Sequence, residues 1–127
     1  MRKPILLALV AFAALALAST AAAKGGGAAV VKRGSCSGAS TWKLTLKHDD
    51  GRIETQFEVD QNRNGRRWRV KLFRNGHVAF DAIRTTHAPS GSFEVRRLLG
   101  NGPGRDRIVA TARALATGET CRAAATI

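Results

Sequence analysis

Apolar and polar side chains alternate with a period of two through most of the chain after residue 40. Trp42, Leu44 and Leu46 form one such run, and Val78, Phe80 and Ala82 form another. Side chains in a strand point alternately to opposite faces, so this pattern is typical of strands with one buried face. It predicts seven strands, at 41–48, 52–59, 66–74, 77–86, 91–99, 106–115 and 119–126.

Turn-forming residues separate the predicted strands. Asn75-Gly76, between two alternating runs, is the strongest hairpin signal, because both residues adopt positive φ readily. The Ala-rich segment 108–116 could form a helix, but Val109, Thr111 and the regular glycine spacing favour a strand. The short, regularly spaced runs indicate an all-β, antiparallel sandwich of seven strands.

The strand order resembles that of an immunoglobulin or fibronectin type III domain over most of the segment 41–127. Trp68 lies on the third strand, where that family buries a tryptophan, and Asp106 precedes the sixth. Phe57 and Ala112 stand near the places of the family's cross-sheet cysteines, and the corner tyrosine is missing. In that family's notation the seven predicted strands are, in chain order, A, B, C, C′, E, F and G. The resemblance implies two sheets, with strands A, B and E in one and C, C′, F and G in the other.

The N-terminal segment has the features of an export signal. Arg2 and Lys3 precede an apolar stretch at 5–17, and small residues at 19–23 predict cleavage after Ala23. A membrane anchor is the alternative, but the stretch is shorter than the roughly 20 residues that span a bilayer. Residues 24–40 are predicted to be a flexible Gly/Ala-rich lead-in, with a short strand at 28–32 as the alternative, and 41–127 the domain. The Arg- and Ala-rich composition also resembles uncharacterised small secreted proteins of high-GC bacteria.

Cys36 and Cys121 are the only cysteines. In an exported protein they are predicted to form one disulfide, since the compartment is oxidising. Closing so long a loop contributes about 4–5 kcal/mol in the chain-entropy description. A reactive or metal-bound thiol pair is disfavoured, because the two lie far apart and no second ligand pair accompanies them.

Positive charge is the main functional clue. The chain has 21 Lys and Arg against 9 Asp and Glu, a net charge of +12, which becomes +10 without the predicted signal. Outward residues of strands A, B and E balance: Lys43, Lys47 and Arg96 against Glu54, Glu58 and Glu94. Those of the other sheet carry a net +5: Arg67, Arg69, Lys71, Arg107, Arg113 and Arg122 against Asp81. Arg63, Arg66 and Arg74 are predicted near the rims of this basic sheet face.

A one-sided basic face predicts a non-enzymatic binding domain for an anion. Arginine suits phosphate and carboxylate through its planar fork, so the expected partners are anionic wall polymers, lipid headgroups or acidic polysaccharides. Nucleic acid is less favoured, because only Phe73 is predicted to be available for base stacking. The alternatives are charge that serves solubility and a protein-interaction domain, such as a secreted inhibitor or accessory subunit, using loops 60–65, 87–91 and 100–105.

The sequence gives little support for a catalytic or metal site. Ser90, His87 and Asp81 lack any motif that frames a hydrolase triad, and His48 and His77 fit turn or strand-end positions. Residues 60–65 match the start of a calcium loop, but its twelfth position is Lys71 rather than the required Glu. A polar loop is predicted there, and no cofactor is implied. A small hydrolase is thus the weakest hypothesis.

Overall fold

Residues 27–127 are described by the computed structural model, and the predicted signal segment 1–23 lies outside them. This part of the chain forms strands and no helix, which confirms the predicted all-β class. The strands are β1 (Val30–Ser35), β2 (Thr41–Asp49), β3 (Arg52–Asp60), β4 (Arg67–Arg74), β5 (His77–Thr85), β6 (Ser92–Gly100), β7 (Arg107–Ala114) and β8 (Thr120–Thr126).

The eight strands form two antiparallel four-stranded sheets. The first has the order β1-β2-β3-β6 and the second β5-β4-β7-β8. Strands β2 to β8 are the seven predicted from alternation, with boundaries that differ by at most one residue, and each lies in the predicted sheet.

The predicted number of strands was one too few. β1 begins within the alternative strand at 28–32, extends to Ser35 and pairs along β2, with Val30 opposite Leu46. Its sequence, VVKRGS, does not alternate, so periodicity gave only a weak signal. Its neighbour β2 supplies the backbone partners that make it a strand.

The apolar faces of the two sheets share one core. Trp68 and Phe57 are fully buried, and the Trp68 ring centre lies 6.2 Å from that of Phe93. The indole Nε1 of Trp68 donates to Gln61 Oε1 at 3.0 Å, so its polar atom is also satisfied. Trp68 pairs with Ala114 of β7, and β7 and β8 contribute small side chains to the core: Ala110, Ala112, Ala114, Ala123 and Ala125. This arrangement is that of a β-sandwich.

The predicted disulfide is present and joins the two sheets along one side. Cys36 follows β1, an edge strand of the first sheet, and Cys121 lies on β8, an edge strand of the second. Their Cα atoms are 4.3 Å apart. The Glu119 carboxylate supports this side by accepting hydrogen bonds from the backbone N of Gly38 and from Ser40. Residues 36–40 are therefore held against β8 by covalent and polar contacts.

An aromatic side chain closes the opposite side, where edge strands β5 and β6 meet. Phe80 is 9% exposed and lies beneath two guanidinium groups. The Cζ atoms of Arg84 and Arg97 lie 5.2 and 5.0 Å from its ring centre. Both distances fit cation–π contacts, so these arginines cover the core rather than join the basic face.

Candidate anion-binding face

The outer surface of the second sheet brings most of the predicted site residues together. Because Trp68, Val70 and Leu72 point into the core, the intervening residues of β4 point outward. Arg69 pairs with Arg113 of β7, and Lys71 lies in line with Thr111 and Arg122. Neighbouring strands are about 5 Å apart, and successive outward residues are about 7 Å apart along a strand. We call Arg67, Arg69, Lys71, Arg113 and Arg122 the basic cluster.

Arg107, the sixth predicted binding residue, lies apart from the basic cluster. It lies on the same face of β7, six residues before Arg113, and pairs with Thr126 of β8. That stretch of strand spans about 20 Å. The outer face therefore carries its cations in two groups, the basic cluster and Arg107, although its six cations and Asp81 give the predicted net charge of +5.

A shallow depression of ≈ 410 Å³ lies within the basic cluster. Cationic and hydroxyl side chains line most of it: Arg69, Lys71, Arg113, Arg122, Thr111 and Thr120. The two threonines were not among the predicted site residues, although the alternation of β7 and β8 placed them outward. Their hydroxyl groups can both donate and accept, which complements the donor-only cations around an anion.

Most charges of the basic cluster have no carboxylate partner. Arg69 alone pairs with Asp81, through two hydrogen bonds. These bonds, with the positive charge of Arg69 and Lys71, hold the pKa of the Asp81 carboxyl below its usual range. Within residues 27–127, Lys71, Arg113 and Arg122 make no side-chain hydrogen bond or ion pair. These three cations are available to a ligand.

The outer face of the first sheet is different because opposite charges face each other. Lys43 stands opposite Glu58, and Lys47 opposite Glu54. Arg96 Nε also donates to Glu54 Oε1, at 3.0 Å. Such cross-strand pairs favour the register of β2 with β3. They also offset the charge of this face locally, whereas the outer face of the second sheet keeps +5 of the net charge.

The predicted rim residues have different surroundings. Arg63 and Arg66, with Arg67, line a cavity of ≈ 340 Å³ at one end of the sandwich. Arg74 instead donates from Nε to the buried Asp106 carboxylate at 2.9 Å, so it is a structural ion pair. Its prediction as a rim charge overlooked this partner, which lies 32 positions away in the sequence.

Asp106 joins a turn, a strand and the end of the chain. Its Oδ1 accepts from Arg74 Nε and from Asn75 Nδ2, each at 2.9 Å. Its backbone exchanges hydrogen bonds with Ile127. Burial raises the pKa of the Asp106 carboxyl, but the bonds from Asn75 and Arg74 outweigh this and hold it below the usual value.

The residues considered for catalysis do not form a connected triad. Asp81 is held by Arg69, whereas His87 Nδ1 lies 3.3 Å from the Ala88 carbonyl oxygen. Ser90 Oγ lies 2.6 Å from Ser92 Oγ. In the loop considered for calcium, Asp60 Oδ1 accepts from the backbone N of Asn62 at 2.9 Å, which makes it a turn-stabilising group.

Loops 60–65 and 87–91 lie together at the end of the sandwich that holds the cavity beside Arg63. Gln61 N donates to the Gly91 carbonyl oxygen at 3.1 Å, and Thr86 Oγ1 donates to that of Arg63. Loop 100–105 connects β6 to β7 at the opposite end. The three loops predicted as recognition elements therefore form two separate surfaces.

The chain was compared with family models, with curated proteins and with solved structures, and no match was found in any of the three comparisons. Among the described residues, no helix is long and apolar enough to span a membrane.

Proposed function

We propose that this chain is a secreted, non-enzymatic domain of immunoglobulin-like type that binds an anionic cell-envelope or extracellular component through its basic cluster. One observation carries the proposal. Lys71, Arg113 and Arg122 surround one depression that also presents threonine hydroxyls, and none of the three forms an ion pair within the described residues. The disulfide and the two-sheet topology are compatible with an exported sandwich of this kind.

The chemistry of the cluster suits phosphate, sulfate or carboxylate groups. A single exposed cation attracts an anion weakly, because water and salt screen the charge. The backbone positions of Arg69 and Arg113 are about 5 Å apart, and those of Lys71, Arg113 and Arg122 are about 8–10 Å apart. Their long side chains can therefore contact one extended ligand at once, and each contact releases counterions. The balanced outer face of the first sheet makes the molecule electrically one-sided, which would orient it as it approaches an anionic target.

The distribution of charge favours binding over solubility alone. Charge that only keeps a protein dispersed has no physical reason to collect on one sheet while the other pairs its charges. Lys43 has the carboxylate of Glu58 opposite it on one side, with Arg33 on the other, whereas Arg113 faces Arg69 and Thr120 and no carboxylate. This contrast supports a role for the second sheet.

Retention on immobilised polyphosphate, measured at low and high salt with exported protein purified from culture fluid, tests the proposal. A variant with Lys71, Arg113 and Arg122 changed to Ser should lose most retention. A matched variant with Lys43, Lys47 and Arg52 changed to Ser loses the same charge from the first sheet and should stay bound. Equal losses in both variants would mean that net charge, not the basic cluster, causes retention.

A second candidate function is protein recognition by the joined loops 60–65 and 87–91. The hydrogen bond from Gln61 N to the Gly91 carbonyl oxygen, with those between Thr86 and loop 60–65, would hold a recognition surface in place before a partner arrives. A pull-down from culture fluid should then recover one stoichiometric partner, and changing the exposed Asn62 and His87 to Ala should abolish recovery. Recovery through the basic cluster alone would exclude this candidate.

A further inference from the structure

An apolar row crosses the outer face of the second sheet beside the basic cluster. Phe73 of β4 pairs with Val78 of β5 and with Val109 of β7, which in turn pairs with Ala124 of β8. The row therefore spans all four strands. Val78 is 59% exposed, and the other three side chains are partly exposed. Such a contiguous row differs from isolated surface apolar residues, which need no explanation.

A β-bulge puts Val78 in this row. Simple alternation with Phe80 and Ala82 would turn Val78 into the core, as its sequence pattern predicted. The pairing shifts between Leu72 and Phe73, and one extra residue of β5 reverses the direction of the side chains before it. The chain thus exposes a valine that a regular strand would bury.

Cations flank the apolar row on both sides. Lys71 and Arg122 lie one level away toward the basic cluster, and Arg107 lies one level away in the other direction. Two further exposed apolar side chains border the cluster. Ile83, 37% exposed, is opposite Arg69, and Leu115, 50% exposed, follows β7 beside Arg67.

We infer that this face docks on the surface of an anionic lipid bilayer. This inference rests on the proposed function and names its target. The cations lie at the level of the headgroup phosphates, while Phe73, Val78 and Val109 contact the apolar boundary beneath them. Peripheral proteins commonly combine these two attractions, because neither a few cations nor a small apolar surface alone holds a protein at a membrane.

Other occupants fit the face less well. A polyphosphate or an acidic polysaccharide can neutralise Lys71 and Arg122, but it offers little to an apolar row four strands wide. A second copy of the chain could cover the row, but a two-fold contact would bring two faces of net charge +5 together. An anionic bilayer complements both the charge and the apolar row.

Vesicle sedimentation tests the inference. Exported protein should co-sediment with phosphatidylglycerol–phosphatidylcholine vesicles and should not co-sediment with vesicles of phosphatidylcholine alone. Part of its binding to the anionic vesicles should remain at high salt. Changing Val78 to Ser and Val109 to Thr should weaken binding to the anionic vesicles about tenfold, which corresponds to roughly 1.4 kcal/mol. The same variant should be retained on polyphosphate as strongly as the unmodified protein.

The matched control changes Val31 and Leu98 to Ser, since these residues are 45% and 49% exposed on the first sheet. It should bind vesicles normally, and thermal unfolding should show that both double variants are folded.

Equal vesicle binding by all three proteins would overturn the inference. Retention on polyphosphate without binding to anionic vesicles would also overturn it, while the proposed function would stand. If the unmodified protein neither stays on polyphosphate nor binds anionic vesicles, both the inference and the proposed function are overturned. Sedimentation as a dimer that the Val78 and Val109 changes dissociate would overturn it too, and would identify a second copy as the occupant.

Discussion

Arg69 donates from Nε and Nη2 to the two carboxylate oxygens of Asp81, at 3.0 and 2.9 Å. This two-bonded contact is the only ion pair of the basic cluster within residues 27–127. It joins β4 to β5 diagonally, since Asp81 is directly opposite Lys71. Asp81 thus offsets part of the positive charge of Arg69 and Lys71, and it lowers the attraction of that surface for anions.

Changing Asp81 to Asn should strengthen binding to polyphosphate. The change frees Arg69 and raises the net charge of the outer face by one. The slope of log K against log salt concentration should become steeper by about one, as expected for one additional phosphate contact. The measurement is a salt titration of polyphosphate binding. Glu58→Gln is the control, because it makes the same charge change on the first sheet. An identical slope for Asp81→Asn and the unmodified protein would contradict the role given to this pair.

Changing Asp106 to Ala should destabilise the fold by about 3 kcal/mol. The loss leaves Arg74 without its partner and Asn75 Nδ2 without its acceptor. Equilibrium unfolding in urea measures the effect. Asp81→Ala removes an exposed carboxylate from a similar ion pair and should change the unfolding midpoint little. Equal effects of the two changes would mean that burial does not strengthen the Asp106 contacts.

Stability should also depend on pH through Asp106. Its folded-state pKa is lowered, so the unfolded chain binds more protons as acid is added. The contribution is fully present above the unfolded pKa of about 3.9 and is lost as pH falls through the folded pKa. Urea midpoints between about pH 6 and 2.5 should therefore fall less for Asp106→Asn than for the unmodified protein. Parallel curves would contradict this assignment.

Changing Thr55 to Val should stabilise the protein by about 1 kcal/mol. Thr55 is fully buried on β3, and its Oγ1 has no hydrogen-bond partner among the described residues. Burying an unpaired hydroxyl costs free energy, and valine has nearly the same shape without this cost. Thermal unfolding measures whether the substitution raises or lowers the stability. Thr45→Val, on the outer face of β2, should change stability less. Destabilisation by Thr55→Val would show that the hydroxyl is satisfied.

Changing Gly91 to Ala should destabilise the protein much more than changing Gly51 to Ala. Both glycines have positive φ, a conformation in which the Cβ of alanine crowds the backbone, so each substitution carries a similar backbone cost. A methyl group at Gly51 would meet open space, whereas at Gly91 it would overlap the backbone of Arg63. The difference between the two unfolding free energies therefore measures the contact between loops 60–65 and 87–91. Equal costs would show that these loops separate easily.

Local sequence patterns predicted the strands well where each residue's environment follows from its neighbours. Leu44 and Leu46 alternate with polar residues because one face of β2 is buried, and the structure buries both. Asn75 and Gly76 both have positive φ, as a tight hairpin turn requires. In β1, by contrast, Val30 and Val31 are consecutive, and strand formation depends on the partner β2.

The sequence by itself determined the all-β class, the positions of β2 to β8, the single cysteine pair and the alternation that turns Arg69 and Arg113 outward. Tertiary structure decided which partner each charged group received. Asp106 forms an ion pair with Arg74, and Asp81 forms one with Arg69, and the paired residues are 32 and 12 positions apart in the sequence. It also decided that Val78 is exposed, since one extra residue in β5 reverses the side-chain direction at that point. Alternation is a property of neighbouring residues in one strand, whereas ion pairs, register and bulges depend on which strands meet.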